Sequence, residues 1–113
     1  MNGIIRYEDV ENRIVEIRGE KVIIDRDVAD IYGVETKRIN EAVSNNPEKF
    51  PKGYIITLDK SEKTGLVENF DRFNKLKHST VVPTAFTERG LYMLATILKS
   101  PVATQATIAI EVF

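Results

Sequence analysis

The stretch Asp25–Asn46, DRDVADIYGVETKRINEAVSNN, constrains the fold more than any other part of the sequence. Apolar residues recur on one side of each half at the spacing of a helix, and one glycine separates the two halves. Gly33 can adopt the positive φ that ends a helix, and Asp25 is of a residue type that caps one. The stretch therefore predicts two short helices, at about Arg26–Tyr32 and Thr36–Ser44.

Small and apolar residues in this stretch have the spacing of a helix-turn-helix. Two helices that cross steeply need a small residue on the first helix, a tight turn, and an apolar residue on the second. Ala29, Gly33 and Ile39 supply these features, and further apolar residues flank the shared core: Val28, Tyr32 and Val34. We predict that Ala29 is buried against the second helix. The alternative is an ordinary helical hairpin, because many hairpins match the same loose pattern.

The outer face of the second helix carries the first group of candidate site residues. Ile39, Ala42 and Val43 form its buried stripe, and the residues off that stripe are Thr36, Lys37, Arg38, Asn40, Glu41 and Ser44. Lysine and arginine reach phosphates or guanine edges, and an asparagine amide binds adenine through two hydrogen bonds. Glu41 would repel phosphate, although its carboxylate can accept a hydrogen bond from a cytosine amino group.

The remainder of the chain predicts an α+β fold. Two β-branched runs on either side of Gly19, Ile14–Ile17 and Lys21–Ile24, predict an N-terminal β-hairpin. Tyr54–Leu58 predicts a further strand. Asp59, with a glutamate three residues later, forms a capping-box pattern, which predicts a helix that begins at Lys60.

Two helices are predicted at the C-terminal end. The first runs from Glu88 to Leu98 and is capped by Thr87. The second begins at Pro101 and would bury an apolar face made of Ala103, Ala106, Ile110 and Phe113. Because this helix is still amphipathic at Phe113, we expect residues 1–113 to form a single N-terminal domain of a longer protein. We also expect the isolated domain to be monomeric, with exposed apolar surface near Phe113.

A basic stretch lies between these elements. Residues 71–86, DRFNKLKHSTVVPTAF, are interpreted as an irregular or extended, wing-like segment, and their candidate phosphate contacts are Arg72, Lys75, Lys77, His78 and Ser79. Residues 72–99 carry five basic groups and one acidic group, whereas residues 1–35 carry five basic and nine acidic groups. The chain is therefore polarised in charge, although its net charge is −1.

Length and composition narrow the class of protein. A chain of 113 residues suits one domain, and its 42% hydrophobic and 29% charged residues are typical of a soluble globular protein. No apolar run approaches the roughly 20 residues of a membrane helix, and the N-terminus lacks the order of a secretion signal. The sequence has no cysteine, so disulfides and thiolate metal sites are excluded. A cytoplasmic protein is the resulting expectation.

Enzymatic and metal chemistries find little support in the sequence. His78 is the only histidine and stands among lysines, and no serine or threonine has a plausible histidine–aspartate partnership. Asp25, Asp27 and Asp30 are closely spaced, but they lack the glycine and distal glutamate of a calcium loop. We therefore expect a protein that is not an enzyme and that needs no cofactor or metal.

Three segments, taken in order, resemble a known family. They are DVADIYGVETKRINEAVSNNPEKFP, YIITLDKSE and LKHSTVVPTAFTERGLYMLATILKS, and the motif AFTERG at Ala85–Gly90 is the most specific piece. Together they resemble the ORF-six N-terminal domain family over roughly residues 12–113. This family is a branch of the KilA-N-like domains of phage antirepressor-type proteins and their prophage relatives. The resemblance implies a compact α+β DNA-binding domain followed by a variable C-terminal region suited to oligomerisation or partner binding.

Two functional hypotheses follow. In the first, the chain is a sequence-specific double-stranded DNA-binding domain of a phage-derived transcriptional regulator or antirepressor. The Thr36–Ser44 helix would enter the major groove, while the basic residues of the 72–79 stretch would grip flanking phosphate. In the second, the chain is a protein-interaction module that binds and inactivates a repressor, which the net charge of −1 favours slightly. Both hypotheses place the protein in the cytoplasm, with no membrane partner.

Overall fold

The computed structural model describes residues 7–99, 101–102, 105 and 113. Its helices and strands are α1 (Tyr7–Glu11), β1 (Val15–Ile17), β2 (Glu20–Ile24), α2 (Asp25–Tyr32), α3 (Thr36–Asn45), β3 (Ile55–Thr57), α4 (Lys60–Asn69), β4 (Thr84–Phe86) and α5 (Glu88–Leu98). Two 3₁₀ helices lie at Pro47–Lys49 and Asp71–His78. The fold is α+β, as the sequence predicts. The short helix α1 has no counterpart among the predicted elements.

The four strands form one antiparallel sheet in the order β1-β2-β4-β3. Strand β4 lies between β2 and β3 although it comes last in the chain, with Phe86 opposite Ile23 and Ala85 opposite Ile56. The predicted hairpin and the predicted strand near Tyr54–Leu58 are both confirmed. The hairpin turn consists of Arg18 and Gly19, with φ angles of 54° and 77°. Two positive φ angles in a two-residue turn match the right-handed twist of the strands.

The sheet separates two hydrophobic clusters, because successive residues of a strand point to opposite faces. On one face Ile23 and Phe86 pack with buried side chains of α2, α3 and α5, which together form the α2–α3–α5 cluster. On the other face Val22, Ile24 and Ala85 pack with α4 and the Asp71–His78 helix, which form the α4 cluster. The two candidate groups of site residues therefore belong to elements on opposite sides of the sheet.

Helices α2 and α3 are joined by the tight turn that the sequence predicts. Gly33 has a φ of 69°, and its N–H donates to the Asp30 carbonyl, while the Val34 N–H donates to the Ala29 carbonyl at 3.0 Å. This pair of bonds is a Schellman motif, which satisfies carbonyls that the helix end leaves free. Ala29 is 3% exposed and lies in the same cluster as the fully buried Ile39, so its predicted burial is confirmed.

The predicted role of Asp25 as a helix cap is wrong. Helix α2 begins at Asp25 itself, its N-cap is Ile24, and no side chain caps this end. Strand β2 passes directly into α2 without an intervening loop. The Asp25 carboxylate is therefore carried into the interior, where it is 6% exposed and binds groups from other elements.

The prediction of an irregular chain is wrong for residues 71–78, which form a 3₁₀ helix of eight residues. Such long runs are uncommon, since their hydrogen-bond geometry is poorer than in an α-helix. Here Phe73 and Leu76 are three residues apart, so both fall on one row of a helix with three residues per turn. Both side chains are buried in the α4 cluster, and this burial favours the 3₁₀ helix over irregular chain.

The predicted last helix falls largely outside the described residues, and so do Ala103, Ala106 and Ile110. Phe113 is described, and it is half-buried and packs against the α2–α3–α5 cluster. Within the described part of the chain, no helix is both long enough and apolar enough to cross a membrane.

The start of α5 docks on the end of the loop before β3. Thr87 caps α5, as predicted, by accepting a hydrogen bond from the Gly90 N–H. Its hydroxyl also lies 2.7 Å from the Gly53 carbonyl oxygen, and its N–H donates to the Tyr54 carbonyl. A Cβ atom on Gly90 would lie 2.0 Å from the Tyr54 carbonyl oxygen, so only glycine fits at this contact. The motif AFTERG therefore has a packing role.

Substituting Ala29→Leu tests the crossing of α2 and α3. The larger side chain must be accommodated in a fully packed cluster, so we expect the free energy of unfolding to fall by about 1–3 kcal/mol in urea denaturation. Glu41→Leu, at an exposed position of α3, is the control and should stay within about 0.5 kcal/mol of the parent. Equal stability of the two variants would show that Ala29 is not at a crowded crossing.

Substituting Gly90→Ala tests the contact between α5 and Tyr54. The clash is with backbone, which cannot rotate away, so the expected loss is about 3 kcal/mol. Gly65→Ala is the matched control, because Gly65 lies inside α4 and a Cβ there meets no atom within 4 Å. The control should gain about 0.5–1 kcal/mol through helix propensity. The docking contact would be disproved if both variants gained stability.

Candidate nucleic-acid interface

Helix α3 presents most of its predicted site residues to solvent. Lys37, Arg38, Glu41 and Ser44 are exposed, and Thr36 is half-buried. On the inner side Ile39 and Ala42 are buried in the α2–α3–α5 cluster. The exposed side chains therefore project from a helix whose orientation is fixed by packing, which is the arrangement that base recognition in a groove requires.

Asn40 differs from its neighbours on α3. It is half-buried, and its side-chain Nδ2 donates to Asp25 Oδ2 at 3.2 Å. The same carboxylate oxygen accepts the Thr84 N–H at 3.2 Å, so α2, α3 and β4 meet at one atom. Because its amide donor is engaged with Asp25, Asn40 holds α3 in place on this side of the helix.

The environment of Asp25 changes its acidity. Burial raises the pKa of the Asp25 carboxyl above its ordinary value, and the hydrogen bonds from Thr84 and Asn40 oppose that rise. A raised pKa means that the folded chain keeps the carboxyl charged less readily than the unfolded chain does. The contact thus combines a desolvation cost with the satisfaction of two donors that would otherwise lack a partner.

The candidate residues of the 72–79 stretch do not form one basic surface. In a helix with three residues per turn, Arg72, Lys75 and His78 share one row, and Lys77 lies on the next. These four side chains are exposed, while Ser79 is half-buried. Arg72, Lys75 and His78 therefore lie on one side of the buried row of the 3₁₀ helix, and Lys77 lies on the other.

Arg72 is largely engaged within the fold. Its Nε donates to Asp27 Oδ2 at 3.1 Å, and its guanidinium carbon lies 4.5 Å from the centre of the Phe73 ring. Burial raises the pKa of the Asp27 carboxyl, and the charge of Arg72 opposes that rise. A shallow depression of about 400 Å³ is lined by three cations and three carboxylates, those of Arg26, Arg72, Lys75, Asp27, Asp30 and Asp71. The charge on this side is mixed rather than basic.

Lys77 and Ser79 lie beside α4, away from the depression that Arg72 and Lys75 line. They line a cavity of about 450 Å³ together with two lysines of α4, Lys60 and Lys63. The sequence analysis did not single out either lysine of α4. The available signal was their spacing of three residues in the first turns of a predicted helix, which places both on one face. Their meeting with Lys77 depends on the packing of α4 against the 3₁₀ helix.

Among the described residues, no group of three or more histidine, cysteine, aspartate or glutamate side chains is placed to hold a metal ion.

Comparison with known proteins identifies the family of this chain. The model of the ORF6N domain matches residues 12–97, which is most of the 113 residues. The chain belongs to the ORF6N domain family. The resemblance drawn from the sequence is thus confirmed, and membership suggests a phage-type regulatory domain. The match spans β1 to α5 almost completely, so it includes both α3 and the lysine-lined cavity of this ORF6N chain. No curated protein and no solved structure matches the chain.

The variants Asp25→Asn and Asp25→Ala separate two effects of the Asp25 carboxylate, the hydrogen bonds that it accepts and the cost of burying its charge. Asparagine retains an acceptor for Asn40 and Thr84, whereas alanine leaves both donors unsatisfied, so Asp25→Ala should lose about 1–3 kcal/mol more of the free energy of unfolding than Asp25→Asn at neutral pH.

The raised pKa of Asp25 also predicts a pH dependence of stability. The contribution of Asp25 to the free energy of unfolding should be greatest below the ordinary aspartate pKa of about 3.9, and it should be lost as the pH rises through the pKa of the folded state.

Denaturant titrations at several pH values check this prediction. The decrease in stability with rising pH, above about pH 3.9, should be shallower in Asp25→Asn than in the parent. Asp59→Asn, which removes a carboxylate at an exposed residue, serves as the control. A pH dependence unchanged by Asp25→Asn would show that the folded and unfolded chains bind protons equally at this position.

Proposed function

We propose that this ORF6N chain is a sequence-specific double-stranded DNA-binding domain of a phage- or prophage-derived transcriptional regulator. The observation that carries the proposal is the two-sided character of α3. Its inner residues Ile39 and Ala42 fix the helix against α2, while Lys37 and Arg38 stand exposed on its first turn. A helix presented in this way, as the second of a helix-turn-helix pair, can lie in the major groove with its first residues against base edges.

Within this proposal the residues of α3 have different roles. Arg38 is exposed, and a guanidinium can form two hydrogen bonds with guanine, so it is the first candidate for base discrimination. Lys37 suits phosphate or guanine, while Glu41 and Ser44 suit contacts further along the groove. Asn40 is half-buried and one of its two amide N–H donors is given to Asp25, so only the second N–H is left for adenine. The structure therefore favours Arg38 over Asn40 as the base-reading residue.

The 72–79 residues would supply contacts that carry no sequence information. Lys75, Lys77 and His78 are exposed, and contacts of lysine with phosphate orient a protein on DNA without reading bases. Arg72 contributes less in this scheme, because its guanidinium is paired with Asp27 and stacked on Phe73.

The test is a random-library DNA selection, followed by affinity measurements for the selected site and for scrambled duplex. We expect Arg38→Ala to reduce discrimination between the two by about 1–3 kcal/mol. Lys52→Ala, an exposed cation outside α3, is the control and should leave the ratio of the two affinities unchanged. If Arg38→Ala also leaves that ratio unchanged, α3 is not the reading element.

A second candidate function is a protein module that binds a repressor. The observations in its favour are the net charge of −1 and the depression in which three carboxylates lie among Arg26, Arg72 and Lys75. Such a mixed surface suits a charged protein partner more than a uniform polyanion. A selection that enriches no DNA sequence at any salt concentration would place this candidate ahead of DNA reading.

A further inference from the structure

A lysine-lined cavity lies between the first turns of α4 and the chain that leaves the Asp71–His78 helix. Its volume is about 450 Å³, and it contains three ammonium groups and three hydroxyl groups, from Lys60, Lys63, Lys77, Thr64, Ser79 and Thr80. Two valines complete the wall. The cavity thus combines positive charge, hydrogen-bond donors and one apolar side.

No carboxylate among the described residues lines this cavity. The two acidic residues nearest in sequence are engaged elsewhere. Asp59 and Glu62 form the capping box of α4, and Glu62 also pairs with Arg18 on the side of α4 that faces β1. The three lysines are therefore not neutralised locally, although the chain as a whole has a net charge of −1.

The lysines are brought together by packing and by a specific hydrogen bond. The Lys63 ammonium donates to the Ser79 carbonyl, which ties α4 to the segment after the 3₁₀ helix. The Ser79 hydroxyl in turn accepts the Val81 N–H at 3.1 Å, which holds the following turn. An ammonium group has three donors, so Lys63 keeps two for a ligand. Lys60 and Lys77 are exposed and form no ion pair within the described part of the chain.

We propose that this cavity binds a phosphate group. A phosphate has several oxygen acceptors and concentrated negative charge, and lysine ammonium and hydroxyl donors are suited to both. The volume exceeds that of one phosphate, so the group can be part of a larger molecule. The phosphate can come from the backbone of duplex DNA or from a free phosphorylated compound. The assignment does not depend on base reading by α3, because it concerns different residues on the other side of the sheet.

Nuclear magnetic resonance on the 113-residue chain tests the cavity directly. Inorganic phosphate is titrated at constant ionic strength against a chloride reference, and the backbone amides of Thr64, Ser79 and Thr80 are followed. We expect saturable shifts with phosphate, absent with chloride and lost in Lys60→Gln/Lys77→Gln. This variant keeps Lys63 and its bond to Ser79, so the local fold is retained.

Lys21→Gln/Lys52→Gln removes the same charge at exposed positions outside the cavity and is the matched control. The control should retain the phosphate shifts. The proposal is overturned if phosphate and chloride give the same shifts, or if the shifts persist unchanged in the variant that lacks the ammonium groups of Lys60 and Lys77.

Salt-dependent affinity for a duplex then distinguishes the two sources of phosphate. If the cavity holds a DNA backbone phosphate, the slope of log affinity against log salt becomes less steep by about one in Lys60→Gln/Lys77→Gln, relative to the control variant. An unchanged slope, with phosphate shifts retained in the parent, assigns the cavity to a free phosphorylated compound. Loss of base discrimination in Arg38→Ala is a separate measurement, so failure of the DNA-reading proposal and failure of this one are distinguishable.

Discussion

The Asp25 carboxylate is the contact on which the relative positions of α2, α3 and the sheet depend. One of its oxygens accepts both the Asn40 amide of α3 and the Thr84 N–H of β4, and Asp25 itself is the first residue of α2. Burying a carboxylate costs free energy unless its hydrogen bonds are satisfied. The oxygen is therefore held where both donors reach it, and α3 is fixed by a polar contact on one side as well as by Ile39 on the other.

The contact of Asp25 with Thr84 also connects the two candidate surfaces, the exposed face of α3 and the lysine-lined cavity. They lie on elements that pack against opposite faces of the sheet, yet both approach the short segment that leads into β4. Ser79 and Thr80 line the lysine-lined cavity, and the Thr84 N–H donates to the Asp25 carboxylate, which also accepts a hydrogen bond from Asn40. A change in this segment can therefore affect α3 and the cavity together, whereas Arg38, Lys60 and Lys77 lie outside it.

Local sequence signals predict the elements whose geometry is decided by a few neighbouring residues. Gly33 ends α2, the Asp59–Glu62 box begins α4, and Gly19 allows the hairpin turn. The 3₁₀ helix was not predictable in this way, because Phe73 and Leu76 favour it only when the α4 cluster is present to bury them. The roles of Asp25 and Asn40 have the same origin, since their partners are distant in sequence.

The distribution of charge on the folded surface could not be predicted from the order of charged residues along the sequence. In sequence, residues 72–99 form a basic segment next to an acidic first third. In the fold, Asp27 and Asp30 from that acidic third lie beside Arg72 and Lys75, whereas Lys77 joins two lysines of α4. The potential at a surface depends on charges within roughly a Debye length, about 8–10 Å in dilute physiological salt, whatever their distance along the chain. Among the described residues, three ammonium groups therefore meet in the lysine-lined cavity with no carboxylate in its lining, whereas Arg72 and Lys75 share their depression with carboxylates.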